Sequence, residues 1–185
     1  MARQFYESID LDRDALLRKT ENWQQILLAE ESLRIVICHA GDPLFAWPEE
    51  MDAHELVVLG APAIPHLDVD LNGGHWIYIG RDAQGPVIAV DIAPVMPERD
   101  DAVRALGGGF GDMRSRMAAL SSDEAALAAQ ARAIFNWHRG HQFCGACGHP
   151  NRIEEAGYRL QCSNPACGKA HFPRTDPAVI LSLIH

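Results

Sequence analysis

Hydrophobic residues along the chain form one segment with helical spacing and then a series of short apolar runs. Residues 11–31 predict a helix, because their apolar side chains recur at roughly helical spacing. From residue 32 onward, short apolar runs separated by Gly and Pro predict strands. These runs cover residues 33–38, 55–60, 75–80 and 86–92. Residues 81–85, which separate the last two runs, predict a hairpin turn that contains Gly85.

The order of these segments indicates the fold class. Strands outnumber helices in the first 110 residues, and no regular strand–helix–strand alternation is evident. We therefore expect an α+β fold whose N-terminal mixed α/β domain is rich in antiparallel strands. The glycine-rich segment LGGGFGD (106–112) lacks the Gly-Lys-Ser/Thr ending of a phosphate-binding loop, so we interpret it as a flexible linker.

A well-marked helix is predicted next. Ser121 and Glu124 have the spacing of a capping box, and Asp123 suits the positive end of the helix dipole. An apolar stripe follows, and Gly140 is a typical stop signal. The pattern predicts a linking helix over residues 121–140 that leads directly into the first pair of cysteines.

Four of the five cysteines lie within one short segment. Cys144 and Cys147 form a Cys-x2-Cys pair, and after 14 intervening residues Cys162 and Cys167 form a Cys-x4-Cys pair. Thiolates at such spacing can meet one Zn²⁺ at about 2.3 Å in a closed tetrahedron. We therefore predict a structural four-cysteine zinc ribbon over residues 141–175, whose small hairpin owes its folding to a metal-binding energy of about 10–16 kcal/mol.

Other interpretations of the cysteines and nearby histidines are weaker. Two disulfides or four uncommitted thiols are poor alternatives, because closely paired cysteines in a reducing compartment favour a metal. A redox role for Cys144 and Cys147 is weak, because a second pair lies at metal-ligand spacing. The fifth cysteine, Cys38, lies in an apolar run and is expected to be a buried small hydrophobe. Four histidines surround the ribbon in sequence. A ligand role is possible for one of them, but four cysteines already complete the shell, so we expect these histidines beside the ligands or on the surface. They are His138, His141, His149 and His171.

Charge and composition narrow the range of partners. The chain has 16 basic and 25 acidic residues, a formal net charge of −9. Such a surface repels nucleic-acid backbone, which argues against general DNA or RNA coating. Residues 1–140 hold 12 Lys/Arg and 22 Asp/Glu, a net of −10, whereas residues 141–185 hold four and three, a net of +1. No signal peptide or membrane-length apolar run is apparent, so we expect a cytoplasmic protein with no membrane partner.

The last residues, FPRTDPAVILSLIH (172–185), contain an apolar run suited to a buried strand. Such a strand needs partners on its edges and cover on its faces. We expect a further domain to start at residues 176–185. The alternative is a strand that folds back onto the N-terminal sheet.

The motifs FCGACGH, the second cysteine pair and HFPRTDPAVI together resemble the NADH pyrophosphatase branch of the Nudix hydrolases. The helix AQARAIFNWHRGHQFC also resembles that family's linker into its zinc ribbon. The specific resemblance covers residues 122–184, and residues 1–120 correspond by position to an N-terminal Nudix-like α+β domain. The resemblance implies a homodimeric enzyme that hydrolyses NADH or NAD to nicotinamide mononucleotide and AMP. Some members remove NAD caps from RNA.

The family places its chemistry in the Nudix box, whose carboxylates hold Mg²⁺ or Mn²⁺. No segment of this sequence carries that box, so we expect no catalytic residue in this chain. We expect the catalytic metals to bind outside it, and the chain alone to be inactive. The resemblance implies two substrate contacts. One is Phe172, which stacks on a base or else packs against the ribbon. The other is Arg114, with Arg116 as the alternative and ordinary surface charge as the simpler explanation for either.

Two other functions are compatible with the residues. A zinc ribbon can be a nucleic-acid or protein binding module without catalysis, although the weak positive charge of this ribbon and its acidic neighbour argue against it. The chain can also be a purely structural dimerisation domain.

Overall fold

The computed structural model describes residues 10–46, 55–67, 71–111, 116 and 119–174. A six-stranded sheet forms the centre of the N-terminal part, and a three-stranded sheet forms the ribbon near the C-terminus. The strands of the larger sheet are β1 (Arg34–His39), β2 (Asp42–Ala46), β3 (Val58–Gly60), β4 (His75–Asp82), β5 (Gly85–Asp91) and β6 (Gly108–Phe110). The helices are α1 (Trp23–Leu28), α2 (Arg99–Leu106) and α3 (Ser122–Gly140). The ribbon strands are β7 (Asn151–Glu154), β8 (Arg159–Cys162) and β9 (Ala170–His171).

The larger sheet is mostly antiparallel. Its order is β4-β5-β1-β2-β6, and β3 pairs with the first half of β1. β1 and β5 run parallel, with Ile35 opposite Ile88 and Ile37 opposite Val90. β4 and β5 form the predicted hairpin, which turns between Asp82 and Gly85. The predicted α+β fold with antiparallel-rich sheets is therefore confirmed, and one parallel pair joins strands that are distant in sequence.

Both faces of this sheet are buried, which explains why its strands read as continuous apolar runs. Successive residues of a strand point to opposite faces. In β1, Val36 and Cys38 belong to the core beneath α3, whereas Ile35 and Ile37 belong to the core on the other face. That second core also includes Leu27 of α1 and Ala102 of α2. Cys38 is fully buried and reduced, as expected for a small hydrophobe.

Helix α3 has the predicted cap. The Ser121 side chain accepts a hydrogen bond from the Glu124 backbone, and the Glu124 carboxylate accepts one from the backbone N–H of Ser121. This reciprocal arrangement satisfies two N–H groups at the helix start. The buried side of α3 packs on the sheet, so the helix carries the chain from the sheet to the ribbon at a fixed position.

Two sequence-based interpretations of local structure need correction. The segment 11–31 forms a short 3-10 turn at Leu17–Lys19 and then α1, so it is not one continuous helix. The glycine-rich segment is not a flexible linker, because Gly108–Phe110 forms β6 and pairs with β2. A Cβ at Gly108 would lie 2.6 Å from the carbonyl oxygen of Phe45, so the strand pair requires glycine at this point.

Within the described residues, no helix is both long enough and apolar enough to cross a membrane. The apolar run at residues 176–185, in which we expect a further domain to start, lies outside the described residues.

Candidate metal centre and its attachment to the sheet

Two tight turns present the four cysteines. In the first turn the backbone N–H of Gly148 donates to the carbonyl of Cys144 at 2.8 Å, and in the second Gly168 donates to Asn164 at 2.9 Å. Gly148 and Gly168 have φ values of 74° and 54°, a left-handed backbone that favours glycine. The spacing of each cysteine pair therefore produces a turn that directs its sulfurs inward.

The four sulfurs lie close enough to share one ion. The Sγ atoms of Cys144, Cys147, Cys162 and Cys167 are all within 4.8 Å of one another. Two of these separations are 3.9 Å, between Cys144 and Cys167, and 3.4 Å, between Cys147 and Cys162. A zinc tetrahedron with Zn–S bonds of about 2.3 Å has sulfur–sulfur edges of about 3.8 Å. A disulfide would need about 2.05 Å, so the geometry fits a structural zinc and excludes two disulfides.

The surroundings favour thiolate at part of the cluster. The backbone N–H of Ala146 and then the His171 ring lower the pKa of Cys144 to about 6. The Nε2 atom of His171 lies 3.4 Å from the Cys144 sulfur. Burial raises the pKa of Cys162 to about 12. A dication among the sulfurs would favour the deprotonated form of all four, because thiolate is the form that binds metal.

A complete four-thiolate shell determines what such a metal can do. With four protein ligands, zinc keeps no open position for water or substrate, so it stabilises structure and does not activate a nucleophile. Among the described residues, the group of ligand atoms that could hold the metal consists of the four cysteine sulfurs and includes none of the three other histidines near the ribbon. His141 and His149 are exposed, and His138 is buried on α3.

The tip of the ribbon hairpin docks on the N-terminal sheet. This tip, residues 155–158, joins β7 to β8 and contains the buried residues Ala156 and Gly157. Gly157 has φ +99°, and a Cβ there would lie 2.4 Å from Cγ2 of Ile77 in β4. The Nε2 atom of His138 donates to the carbonyl of Gly157 at 2.7 Å. The ribbon is thereby held against both β4 and α3.

Tyr158 completes this attachment. Its ring lies under the guanidinium of Arg18, with 3.8 Å between the guanidinium carbon and the ring centroid. Its hydroxyl oxygen accepts a hydrogen bond from the Gln130 side chain of α3 at 2.5 Å. Sequence reasoning missed these docking contacts, because the partners are 19 to 140 positions apart, from His138–Gly157 to Arg18–Tyr158. The positive φ that Gly157 needs was the one local signal.

Of the two residues predicted to contact substrate, the structure describes Phe172. This residue follows β9 directly and is 61% exposed. Arg114 lies outside the described residues. Its alternative, Arg116, has its guanidinium carbon 4.9 Å from the centroid of the Phe45 ring.

Comparisons with known proteins agree with this architecture. The family of the NADH pyrophosphatase-like rudimentary NUDIX domain matches residues 14–137, and the NADH pyrophosphatase zinc ribbon domain matches residues 139–172. "Nudix hydrolase 19, chloroplastic" of Arabidopsis thaliana is 39% identical over 127 residues, which is 63% of this chain and 28% of the relative.

Two further relatives carry names that state a substrate. "NAD-capped RNA hydrolase NudC" of Deinococcus radiodurans is 33% identical over 111 residues, 60% of this chain and 36% of the relative. The human "NAD-capped RNA hydrolase NUDT12" is 39% identical over 72 residues, 36% of this chain and 16% of the relative. The matched region thus spans between 16% and 36% of the length of these three relatives.

The first family match alone covers more than half of the chain, and the ribbon that follows contains the four clustered sulfurs. The chain therefore belongs to the NADH pyrophosphatase family of Nudix hydrolases, with a rudimentary NUDIX domain followed by the family's zinc ribbon.

Proposed function

We propose that this chain supplies the N-terminal domain, the zinc scaffold and part of the substrate pocket of an enzyme that hydrolyses the diphosphate of NADH or NAD. The products are nicotinamide mononucleotide and AMP. The observation that carries the proposal is the order of the two family matches, a rudimentary NUDIX domain at 14–137 followed directly by the zinc ribbon at 139–172. Two relatives named as NAD-capped RNA hydrolases favour the NAD cap of RNA as a second substrate.

We assign the zinc-binding role to Cys144, Cys147, Cys162 and Cys167. Zinc bound there would fix the hairpin whose tip docks through Gly157 onto Ile77 and His138. The metal would thereby hold β9, and Phe172 after it, at a set position relative to the sheet.

We propose that the chain is divided at the boundaries that the sequence predicts. Residues 1–120 form the N-terminal domain, 121–140 the linking helix, 141–175 the ribbon, and 176–185 the start of a Nudix hydrolase domain. Mg²⁺ or Mn²⁺ bound to that hydrolase domain would neutralise phosphate charge. This chain's own contribution is to bind and orient the dinucleotide through Phe172 and Arg114. We also propose that the protein is a cytoplasmic homodimer.

The 61% exposure of Phe172 supports its role. A phenylalanine ring that is largely free of protein contacts can stack on a base, an interaction worth about 1–3 kcal/mol that tolerates different bases. Arg114 is proposed because a guanidinium can donate two parallel hydrogen bonds to a diphosphate.

The test is a chimera in which residues 1–174 of this chain replace the matching region of the Deinococcus relative, which is 33% identical over the aligned residues. We expect the chimera to hydrolyse NADH to nicotinamide mononucleotide and AMP when Mg²⁺ or Mn²⁺ is present, with the products separated by chromatography. The 185-residue chain alone is the control and should be inactive, because it carries no Nudix box. A folded, zinc-loaded chimera that leaves both NADH and NAD-capped RNA intact would refute the proposal.

A further inference from the structure

The His171 ring reaches the sulfur cluster from outside the two cysteine turns. Its Nε2 atom lies 3.4 Å from Sγ of Cys144, which is 27 positions earlier in the chain. Cys144 is buried, and His171 is half-buried. Zinc is bound by the thiolate, which has lone pairs and no proton, so this sulfur can only accept a hydrogen bond. The Nε2 atom of His171 therefore carries a proton and donates a hydrogen bond to a ligand of the metal.

Backbone N–H groups also donate to the sulfurs, but these bonds stay within one cysteine turn. At each sulfur the donor is the residue two positions after the cysteine; these residues are Ala146, His149, Asn164 and Lys169. Such a bond holds a sulfur to its own turn. The bond from His171 differs, because it joins the first cysteine turn to strand β9.

Strand β9 is short and lies at the edge of the ribbon sheet. It consists of Ala170 and His171, and it pairs with β8 in the order β7-β8-β9. A segment held by few contacts opens locally at low cost, so two residue pairs hold this edge weakly. Phe172 follows His171 directly. The bond from the His171 ring to Cys144 therefore restrains the backbone from which Phe172 projects.

The same bond offsets charge at the metal. Four thiolates carry two more negative charges than one Zn²⁺ neutralises, and the sulfurs of Cys144 and Cys162 belong to buried residues. Buried charge is costly unless donors face it. Groups that hydrogen-bond to a metal ligand fix its orientation, and their removal typically weakens metal binding or activity by about 10- to 100-fold.

We propose that His171 is a positioning residue, whose ring holds the Cys144 thiolate at the metal and thereby also sets the place of Phe172. The role at the metal does not depend on hydrolysis. The consequence for NADH binding rests on the proposed function, because it acts through Phe172.

Three variants separate the hydrogen bond from other properties of the ring. His171→Leu removes the donor at similar volume, and His171→Gln retains a side-chain N–H that can donate. His141→Leu is the control, because His141 is exposed and its Nδ1 atom lies 2.9 Å from the carbonyl oxygen of Trp137, not beside a sulfur. In competition with a chelating dye, the 185-residue chain should bind zinc about 10- to 100-fold more weakly in His171→Leu. Both other variants should stay close to the wild type.

Cobalt in place of zinc reports on the hydrogen bond itself. A donor stabilises the sulfur electrons, so its removal should move the sulfur-to-cobalt charge-transfer band of the fully loaded chain to longer wavelength. We expect this shift in His171→Leu and expect the band to stay in place in His171→Gln and His141→Leu. A variant that merely loosens the fold would lose cobalt without this shift.

Two further measurements follow the effect to Phe172. With 4-fluorophenylalanine at position 172 alone, the ¹⁹F line of the zinc-loaded 185-residue chain should narrow in His171→Leu, because the ring gains mobility, and keep its width in His171→Gln. In the chimera at equal zinc content, His171→Leu should raise KM for NADH by up to about tenfold and leave kcat unchanged. The double variant with Phe172→Ala should match Phe172→Ala alone, because His171 acts through Phe172.

The proposal is overturned if His171→Leu binds zinc as tightly as the wild type, if His141→Leu loses as much affinity, or if the cobalt band does not move. Equal ¹⁹F line widths in all variants, or a double variant whose KM exceeds that of Phe172→Ala, would overturn the link to Phe172. A chimera that does not hydrolyse NADH would refute the hydrolase function instead, since the zinc, cobalt and ¹⁹F measurements need no activity.

Discussion

The Nε2 atom of His138 lies 2.7 Å from the carbonyl oxygen of Gly157, and this bond ties the linking helix to the tip of the ribbon hairpin. Both residues are buried, and Gly157 in turn packs directly on Ile77 of the central sheet. A carbonyl oxygen can only accept, so the bond requires a proton on Nε2. The zinc ribbon is thus held to the rest of the molecule through a titratable side chain in the interior.

The first prediction concerns stability at mildly acidic pH. Burial lowers the pKa of His138 to about 4 from an ordinary 6.5, with His75 lowering it further and the Gly157 carbonyl and Asp91 opposing the shift. Between these two pH values the unfolded chain binds more protons than the folded chain, so stability falls as the pH drops. We expect His138 to cost about 1 kcal/mol between about pH 7.5 and about pH 5.5, and about 3 kcal/mol by about pH 4.

Denaturant unfolding of the wild type and of His138→Gln, compared at each pH, isolates this contribution. Glutamine can still donate to the Gly157 carbonyl but does not titrate, so its pH dependence should be shallower by these amounts. The comparison also cancels zinc release and carboxylate protonation, which affect both proteins. Parallel curves for the two proteins would show that His138 is not held neutral.

The second prediction tests the close contact at the hairpin tip. In Gly157→Ala, the new methyl group would lie 2.4 Å from Cγ2 of Ile77 on a backbone with φ +99°. Gly107→Ala is the matched control, since its φ is +68° but a Cβ there meets nothing within 4 Å. We expect the control to lose about 1 kcal/mol of unfolding free energy and Gly157→Ala to lose about 3 kcal/mol, because overpacking adds to backbone strain. Equal losses in thermal or denaturant unfolding would argue that the tip does not pack on β4.

The third prediction concerns Phe172. In the active chimera, Phe172→Ala should raise KM for NADH by about tenfold, since stacking on a base contributes about 1–3 kcal/mol. Phe143→Ala is a suitable control, because Phe143 is also on the ribbon and is 62% exposed, compared with 61% for Phe172. Steady-state kinetics on preparations with equal zinc content would separate the two residues. A KM that rises equally in both variants, or in neither, would remove Phe172 from the substrate pocket.

Local signals in the sequence predicted the elements that depend on local chemistry. The capping box at Ser121 and Glu124 and the two cysteine turns were predictable because their residues interact within one or two turns of chain. β4 and β5 were predictable because burial on both faces makes their sequences continuously apolar.

Elements specified by distant contacts were not predictable in the same way. β6 consists of Gly108, Gly109 and Phe110, and glycine is needed at position 108 because the backbone of β2 approaches closely there. Helix α2 has only eight residues, and Ala102, Val103 and Leu106 are too few apolar side chains to distinguish a helix from a loop by their spacing alone. The docking of Tyr158 under Arg18 joins residues 140 positions apart, and no local pattern indicates it.

The four-thiolate zinc site holds the ribbon together, and metal analysis of the purified 185-residue chain tests its presence directly. Elemental analysis should give one zinc per chain. Thiol titration should find at most one freely reactive thiol, the buried Cys38, and only after the protein is denatured under conditions that keep the metal bound. Each of Cys144→Ser, Cys147→Ser, Cys162→Ser and Cys167→Ser should lose most of the zinc, whereas Cys38→Ser should retain it. A chain that purifies without zinc and does not bind it when it is added, or a zinc content unchanged in all four variants, would contradict the account.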